Sequence, residues 1–70
     1  MAEITYNLQG DFIELFKLLK IARIAATGGH AKLLIDEGNV MVNSKPEFRK
    51  RAKIRSGDIV NCSGNYIVVK

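Results

Sequence analysis

The stretch Thr27-Gly28-Gly29-His30-Ala31-Lys32-Leu33-Leu34-Ile35-Asp36-Glu37-Gly38-Asn39-Val40-Met41-Val42-Asn43 contains the change of period that decides the fold. Thr27 is the expected N-cap of a helix, since its hydroxyl can accept a backbone N–H of the first turn. Ala31, Leu34 and Ile35 supply that helix with an apolar face, and Gly38 suits the left-handed residue that ends it. Beyond Gly38 the period becomes two. Val40 and Val42 alternate with Asn39, Met41 and Asn43, which reads as a strand, and Asn43-Ser44 signals a turn.

Upstream, Ala25-Ala26-Thr27-Gly28-Gly29 is a break between two helices. Before it, Phe12, Leu15, Phe16, Leu19 and Ala22 follow helical spacing and define a core-facing stripe, predicting a first helix over about 11–23. Ile13, Leu18 and Ile21 lie off that stripe, so this helix is expected to pack on more than one side. Asp11 and Glu14 stand in a variant of the capping-box arrangement at its start. Ile4, Tyr6 and Leu8 alternate with Thr5 and Asn7 as a short strand, punctuated by Gly10. The two helices form a helix-turn-helix-like hairpin that needs tertiary packing to be stable. Downstream, Ser56-Gly57-Asp58 turns the chain into strand Ile59–Cys62, and Ser63-Gly64-Asn65 turns it into Tyr66–Val69. The expected architecture is α+β, with an N-terminal strand and a two-helix hairpin packed on a small, mostly antiparallel sheet.

Seventy residues allow one small domain, expected to span 1–70. With 47% hydrophobic and 26% charged residues the chain has the balance of a globular domain and not of a disordered one. One Cys and one His exclude a disulfide framework and leave too few ligands for an ordinary structural zinc site, so no metal or cofactor is expected. Cys62 reads as a small strand residue. The start of the chain shows no signal-peptide pattern, and charges interrupt every apolar run before membrane-spanning length, so a cytoplasmic location without a membrane partner is expected. A catalytic triad needs a nucleophile, a base and an orienting group in a pocket, and one His in so thin a domain leaves little to build it from. Enzyme activity is not expected.

The net charge is +4, and its location is informative. Lys17, Lys20 and Arg23 balance Glu3, Asp11 and Glu14, leaving residues 1–27 neutral. Residues 45–55 hold Lys45, Arg49, Lys50, Arg51, Lys53 and Arg55 against Glu47 alone, a local +5 that exceeds the charge of the whole chain. Such a concentration costs self-repulsion and does little for the fold, which points to an anionic partner. The competing explanation is a solvated basic edge that blocks strand-to-strand aggregation. If the segment is extended, Arg49, Arg51, Lys53 and Arg55 share one face while Lys50, Ala52 and Ile54 point the other way. A row of bases repeating every ~6.6–6.8 Å can track phosphates.

Gly28 and Gly29 offer backbone N–H groups at a helix start with no side chain in the way, and His30 and Lys32 stand next to them. No Gly-Lys-Ser/Thr follows at P-loop spacing. The alternative is a tight turn that lets two helices approach closely. Tyr6, Tyr66, Phe12, Phe16 and Phe48 are the aromatics, and most fall on inferred core positions, which disfavours a base-stacking platform. Phe48, amid the basic run, is the exception.

Leu15 through Leu19, Thr27-Gly28-Gly29-His30-Ala31-Lys32, Leu34-Ile35, Gly38, Val40, Val42-Asn43 and Gly57-Asp58-Ile59-Val60 together resemble the S-four RNA-binding domain. That module is named after ribosomal small-subunit protein four and also occurs in pseudouridine synthases and tyrosyl-tRNA synthetases. The most specific part is Ile35-x-x-Gly38-x-Val40-x-Val42-Asn43 followed by Gly57-Asp58. The N-terminal strand, Gly28-Gly29-x-Ala31-Lys32 and the run from Pro46 to Lys53 resemble small stand-alone bacterial members. Two departures stand out: Thr27-Gly28 replaces a frequent Ser-Arg, and Asn43-Ser44 replaces an Asn-Gly turn. Gly28 and Gly29 N–H groups with Lys32 are the expected substitutes for the missing Arg.

The resemblance implies that the two helices and the adjoining strand turn face structured RNA of the rRNA or tRNA class. Carried onto this chain, the expected contacts are Arg23, Gly28, Gly29, His30 and Lys32, with Lys45, Arg49, Arg51, Lys53 and Arg55 beyond the Asn43 turn. One rival is a DNA-reading helix-turn-helix, which Asp36 and Glu37 at the end of a short second helix suit poorly. The other is a protein-interaction adaptor that sets the basic segment against an acidic partner.

Overall fold

A strand that buries alternate residues needs neighbours on both edges, and the Val40 pattern finds them. A computed structural model of the chain describes residues 2–70. Its elements are β1 (Ala2–Tyr6), β2 (Ile13–Glu14), α1 (Leu15–Ile21), α2 (Gly28–Asp36), β3 (Val40–Val42), β4 (Lys45–Pro46), β5 (Lys53–Ile54), β6 (Ile59–Cys62) and β7 (Asn65–Val69). A five-stranded sheet runs β1-β7-β6-β3-β4, and β2 with β5 makes a separate two-stranded ribbon. Among the described residues, only β1 and β7 pair in parallel. The fold is the expected α+β arrangement of two helices with a mostly antiparallel sheet.

Period-two alternation fixes the register. Val40 lies opposite Cys62 and Val60 opposite Ile67, and all four side chains are buried on one face of the sheet. Leu15, Leu18 and Leu19 of α1 and Ala31 and Ile35 of α2 complete the core from above, with Ala52 and Ile54 closing one side. No helix among the described residues is long and apolar enough to cross a membrane.

The second helix follows the sequence reading closely. Thr27 is extended and its Oγ1 accepts the His30 N–H at 3.0 Å, while Gly38 ends the helix at φ +79°. The first helix does not. It begins at Leu15 rather than near residue 11, because Ile13 and Glu14 are extended and pair with Ile54 and Lys53. The Asp11–Glu14 capping box does not form, and Glu14 makes no side-chain cap. Instead the Leu15 N–H donates to the Ala52 carbonyl (3.0 Å) and the Phe16 N–H to the Lys50 carbonyl (3.1 Å). Two donors that a helix start normally leaves unpaired are thus satisfied by a distant segment.

The shorter helix also rotates the core stripe. Leu18, placed off the stripe by the sequence reading, is fully buried, whereas Phe12 lies outside the helix and is 41% exposed. Phe16 and Ala22 are only partly buried. Aromatic residues therefore do not fill the core as expected. Phe12, Phe48 and Tyr66 are exposed, and the large buried side chains are aliphatic.

Candidate nucleic-acid interface

The expectation of one extended face through residues 45–55 is corrected by the backbone. Lys45-Pro46 and Lys53-Ile54 belong to different sheets, and between them the chain turns at Lys50-Arg51, closed by the Ala52 N–H donating to the Arg49 carbonyl at 3.2 Å. The turn follows from what this segment must satisfy. Ala52 and Ile54 anchor in the core, and the Lys50 and Ala52 carbonyls must reach the start of α1. The segment is a strap from the end of α2, where Phe48 lies over Gly38, to the start of α1.

Along the strap the cations differ in what holds them. Arg49 is folded onto Glu47, with Nε 3.1 Å from Oε2 and Nη2 3.2 Å from Oε1, and its own N–H also donates to Oε2. The Arg49 guanidinium hydrogen bond holds the Glu47 carboxyl below its usual range, and the carboxylate raises Arg49 in turn. Lys50 reaches Asp36 at 3.6 Å. Arg51 approaches Glu14 at 3.5 Å, and the same carboxylate meets Lys17 at 3.1 Å. Lys53 has no carboxylate partner among the described residues and stands 5.0 Å from the Phe12 ring centroid.

Three of these elements converge on Phe16. Its ring centroid lies 4.9 Å from Lys32 Nζ on α2, 5.8 Å from Arg51 Cζ on the strap and 5.9 Å from Lys17 Nζ on α1. Those distances fall within cation–π range, so the ring offers its negative face to cations that would otherwise repel one another. With Lys53 beside Phe12, the cations Lys17, Lys32, Arg51 and Lys53 stand near the start of α1, and Glu14 bridges Lys17 and Arg51. The sequence reading missed Lys17 and the surface role of Phe16. Reading Leu15, Leu18 and Leu19 as the i, i+3, i+4 stripe would have turned Phe16 aside and exposed Lys17.

Gly28 packs beside the same ring, where an added Cβ would stand 3.8 Å from Phe16, and at Gly29 the nearest atom is Thr27 Oγ1 at 3.9 Å. Neither contact is too close for a side chain, and neither glycine has positive φ. The close-approach explanation for this pair therefore fails. The Gly28 and Gly29 N–H groups find no acceptor among the described residues, while the Ala31 N–H is taken by the Thr27 carbonyl. His30 turns back on the helix start, its Nδ1 accepting the Ala26 N–H at 3.1 Å. That hydrogen bond implies the tautomer protonated at Nε2.

The remaining expected residues are Arg23, Lys45 and Arg55. Arg23 is exposed just past α1, at φ +63°. Lys45 and Arg55 flank a corner fastened by two side chains. Asn43 Nδ2 donates to Asp58 Oδ1 at 3.0 Å, the Ile59 N–H donates to Asn43 Oδ1 at 2.9 Å, and the Arg55 N–H donates to Asp58 Oδ2 at 2.8 Å. Asn43 and Ser44 both take positive φ, the two-residue hairpin geometry that Asn tolerates well. Asn43 and Asp58 thus build the corner. By contrast, a shallow depression of about 270 Å³ near the Ser63-Gly64 turn is lined by residues without formal charge, among them Asn39, Met41, Asn61 and Tyr66.

Two short helices on a small sheet, with a cation-bearing strap that runs from the end of α2 to the start of α1, make a small α+β module. Its family follows from comparison with known proteins. A family model described as S4 domain matches residues 6–70, and the chain belongs to that family. RlbA of Bacillus subtilis (strain 168), named as a probable ribosome maturation protein, is 34% identical over 58 residues, covering 83% of this chain and 82% of RlbA. YbcJ of Escherichia coli (strain K12), whose name provisionally marks it as RNA-binding, is 40% identical over 57 residues, 81% of each chain. The solution structure of Escherichia coli YbcJ, described as revealing an ALFAL motif involved in RNA binding, matches with TM-score 0.70 at 36% identity. That match covers 99% of this chain and 86% of the other.

Proposed function

We propose that this chain is a non-enzymatic, cytoplasmic RNA-binding protein that grips structured RNA with the face where α1, α2 and the strap meet. The observation that carries this reading is the convergence of Lys17, Lys32 and Arg51 on one half-buried ring, beside two helix-start N–H groups that find no acceptor among the described residues. Lys32, Arg51, Lys53 and Lys17 supply phosphate contacts, and Gly28 and Gly29 donate to a further phosphate oxygen. Arg23, His30, Lys45 and Arg55 extend the face, and Arg49 joins it by exchanging Glu47 for phosphate. Shape and 2′-hydroxyls supply the selectivity expected for folded RNA. Ribosomal RNA is the favoured class over tRNA, because the similar protein RlbA is named for ribosome maturation.

If about four phosphates are engaged, raising salt from ~50 to ~200 mM weakens binding roughly 50–150-fold. Titrating a ribosomal RNA fragment at both salt concentrations, with duplex DNA as competitor, checks this. Salt-insensitive binding would contradict the phosphate mechanism, and equal competition by DNA would contradict selectivity for RNA.

A further inference from the structure

The exposed aromatic rings are the feature that phosphate binding leaves unused. The fully buried core is aliphatic, while Phe12 is 41% exposed beside the cation cluster. Helical packing does not hold Phe12 there, since α1 begins three positions later at Leu15. The strap does, because Ile13 next to it pairs with Ile54 and Lys53 comes to 5.0 Å from its ring centroid. A flat apolar ring with a cation at its side matches a nucleotide, whose base stacks while its phosphate is neutralised. Phe16 is less suited, because its ring is partly buried against Gly28 and already ringed by three cations. Phe48 is more exposed at 60%, but it lies over Gly38 at the other end of the strap, where Arg49 is folded onto Glu47.

We infer that Phe12 and Lys53 form a seat for one unpaired base, so that this protein prefers structured RNA carrying a bulged nucleotide over uninterrupted duplex. The inference rests on the RNA-binding reading and deepens it. Phosphate contacts at Lys32 and Arg51 hold the paired stem, and the extruded base stacks on Phe12 with its phosphate near Lys53. Because Phe12 is exposed and lies outside both helices, its substitution leaves the core intact.

The test uses two short hairpin RNAs of matched stem sequence, one fully paired and one with a single bulged adenosine, and four proteins: the unaltered chain, Phe12→Leu, Phe12→Tyr and Phe12→Trp. The unaltered chain should bind the bulged hairpin about 5- to 160-fold more tightly, the range expected of one base–aromatic stack. Phe12→Leu should lose that preference while binding the paired hairpin as before, and Phe12→Tyr should retain it. The chain has no tryptophan. Phe12→Trp therefore gives a single indole, whose fluorescence should be quenched by the bulged hairpin and not by the paired one. Equal affinity of the unaltered chain for both hairpins overturns the base seat and leaves RNA binding standing. A Phe12→Leu loss of the same size on both hairpins also overturns the seat. Binding of neither hairpin overturns the RNA reading, and the seat with it.

Discussion

The two helices end in the same way and pay differently for it. After α2 the Gly38 N–H donates to the Ile35 carbonyl and the Asn39 N–H to the Leu34 carbonyl, with Gly38 in the left-handed region. After α1 the Arg23 N–H donates to the Lys20 carbonyl and the Ile24 N–H to the Leu19 carbonyl, with Arg23 in the left-handed region. Both are Schellman ends, but a side chain in that conformation costs roughly 1 kcal/mol that glycine avoids. The helix starts differ as well. α2 is capped by its own Thr27 and His30, whereas α1 takes the carbonyls of Lys50 and Ala52 from the strap. The second helix is thus finished by local residues, and the first depends on the same segment that carries the charge. The cation-bearing strap and the start of α1 are built together.

That difference is open to direct perturbation. Ile54→Ala has the largest expected effect, about 2–4 kcal/mol lost, because a fully buried anchor is removed. Hydrogen exchange should show the Leu15 and Phe16 amides losing protection before the amides of α2. Uniform loss across both helices would deny the special dependence of α1 on the strap. Gly38→Ala should cost about 1–2 kcal/mol in chemical denaturation, since alanine there must adopt positive φ, while the 3.5 Å approach of its Cβ to the Phe48 ring is an ordinary contact. Arg23→Gly should do the opposite, gaining about 0.5–1 kcal/mol while weakening RNA binding. A variant that is both more stable and an equally good binder would show that Arg23 is not retained for its charge.

The smallest effect is a pH dependence at Glu47. Its folded carboxyl is held below the ordinary range by Arg49, so the stabilisation is present above the unfolded value and is lost as pH falls through the folded one. Arg49 is largely exposed, which keeps the contribution small. Glu47→Gln should flatten the acid side of the stability profile, and an unchanged profile would assign that loss to other carboxylates.

The same contrast explains what was legible in the sequence. Thr27 and Gly38 mark α2 because their effects act within a turn, and Val40 and Val42 mark β3 because alternation is local. The concentration of bases in residues 45–55 was equally plain. The start of α1 was not, because its acceptors lie at Lys50 and Ala52, far along the chain. The strap's turn was hidden too. Arg49-Lys50-Arg51-Ala52 contains none of the Gly, Pro or Asn residues that announce turns, and long-range anchoring of Ala52 and Ile54 bends it. Lys17 was overlooked because the Phe16 cluster joins three separate segments, which no spacing rule connects.

The central claim is that the charge gathered around Phe16 is the RNA grip. It is tested most directly by the salt dependence of binding of one ribosomal RNA fragment to the unaltered chain and to Lys32→Ala/Arg51→Ala. The account predicts a folded double variant that binds more weakly and whose log–log salt slope is shallower by about 1.4–1.8, one increment for each lost phosphate contact. An unchanged slope and affinity would place the RNA on another face and contradict it.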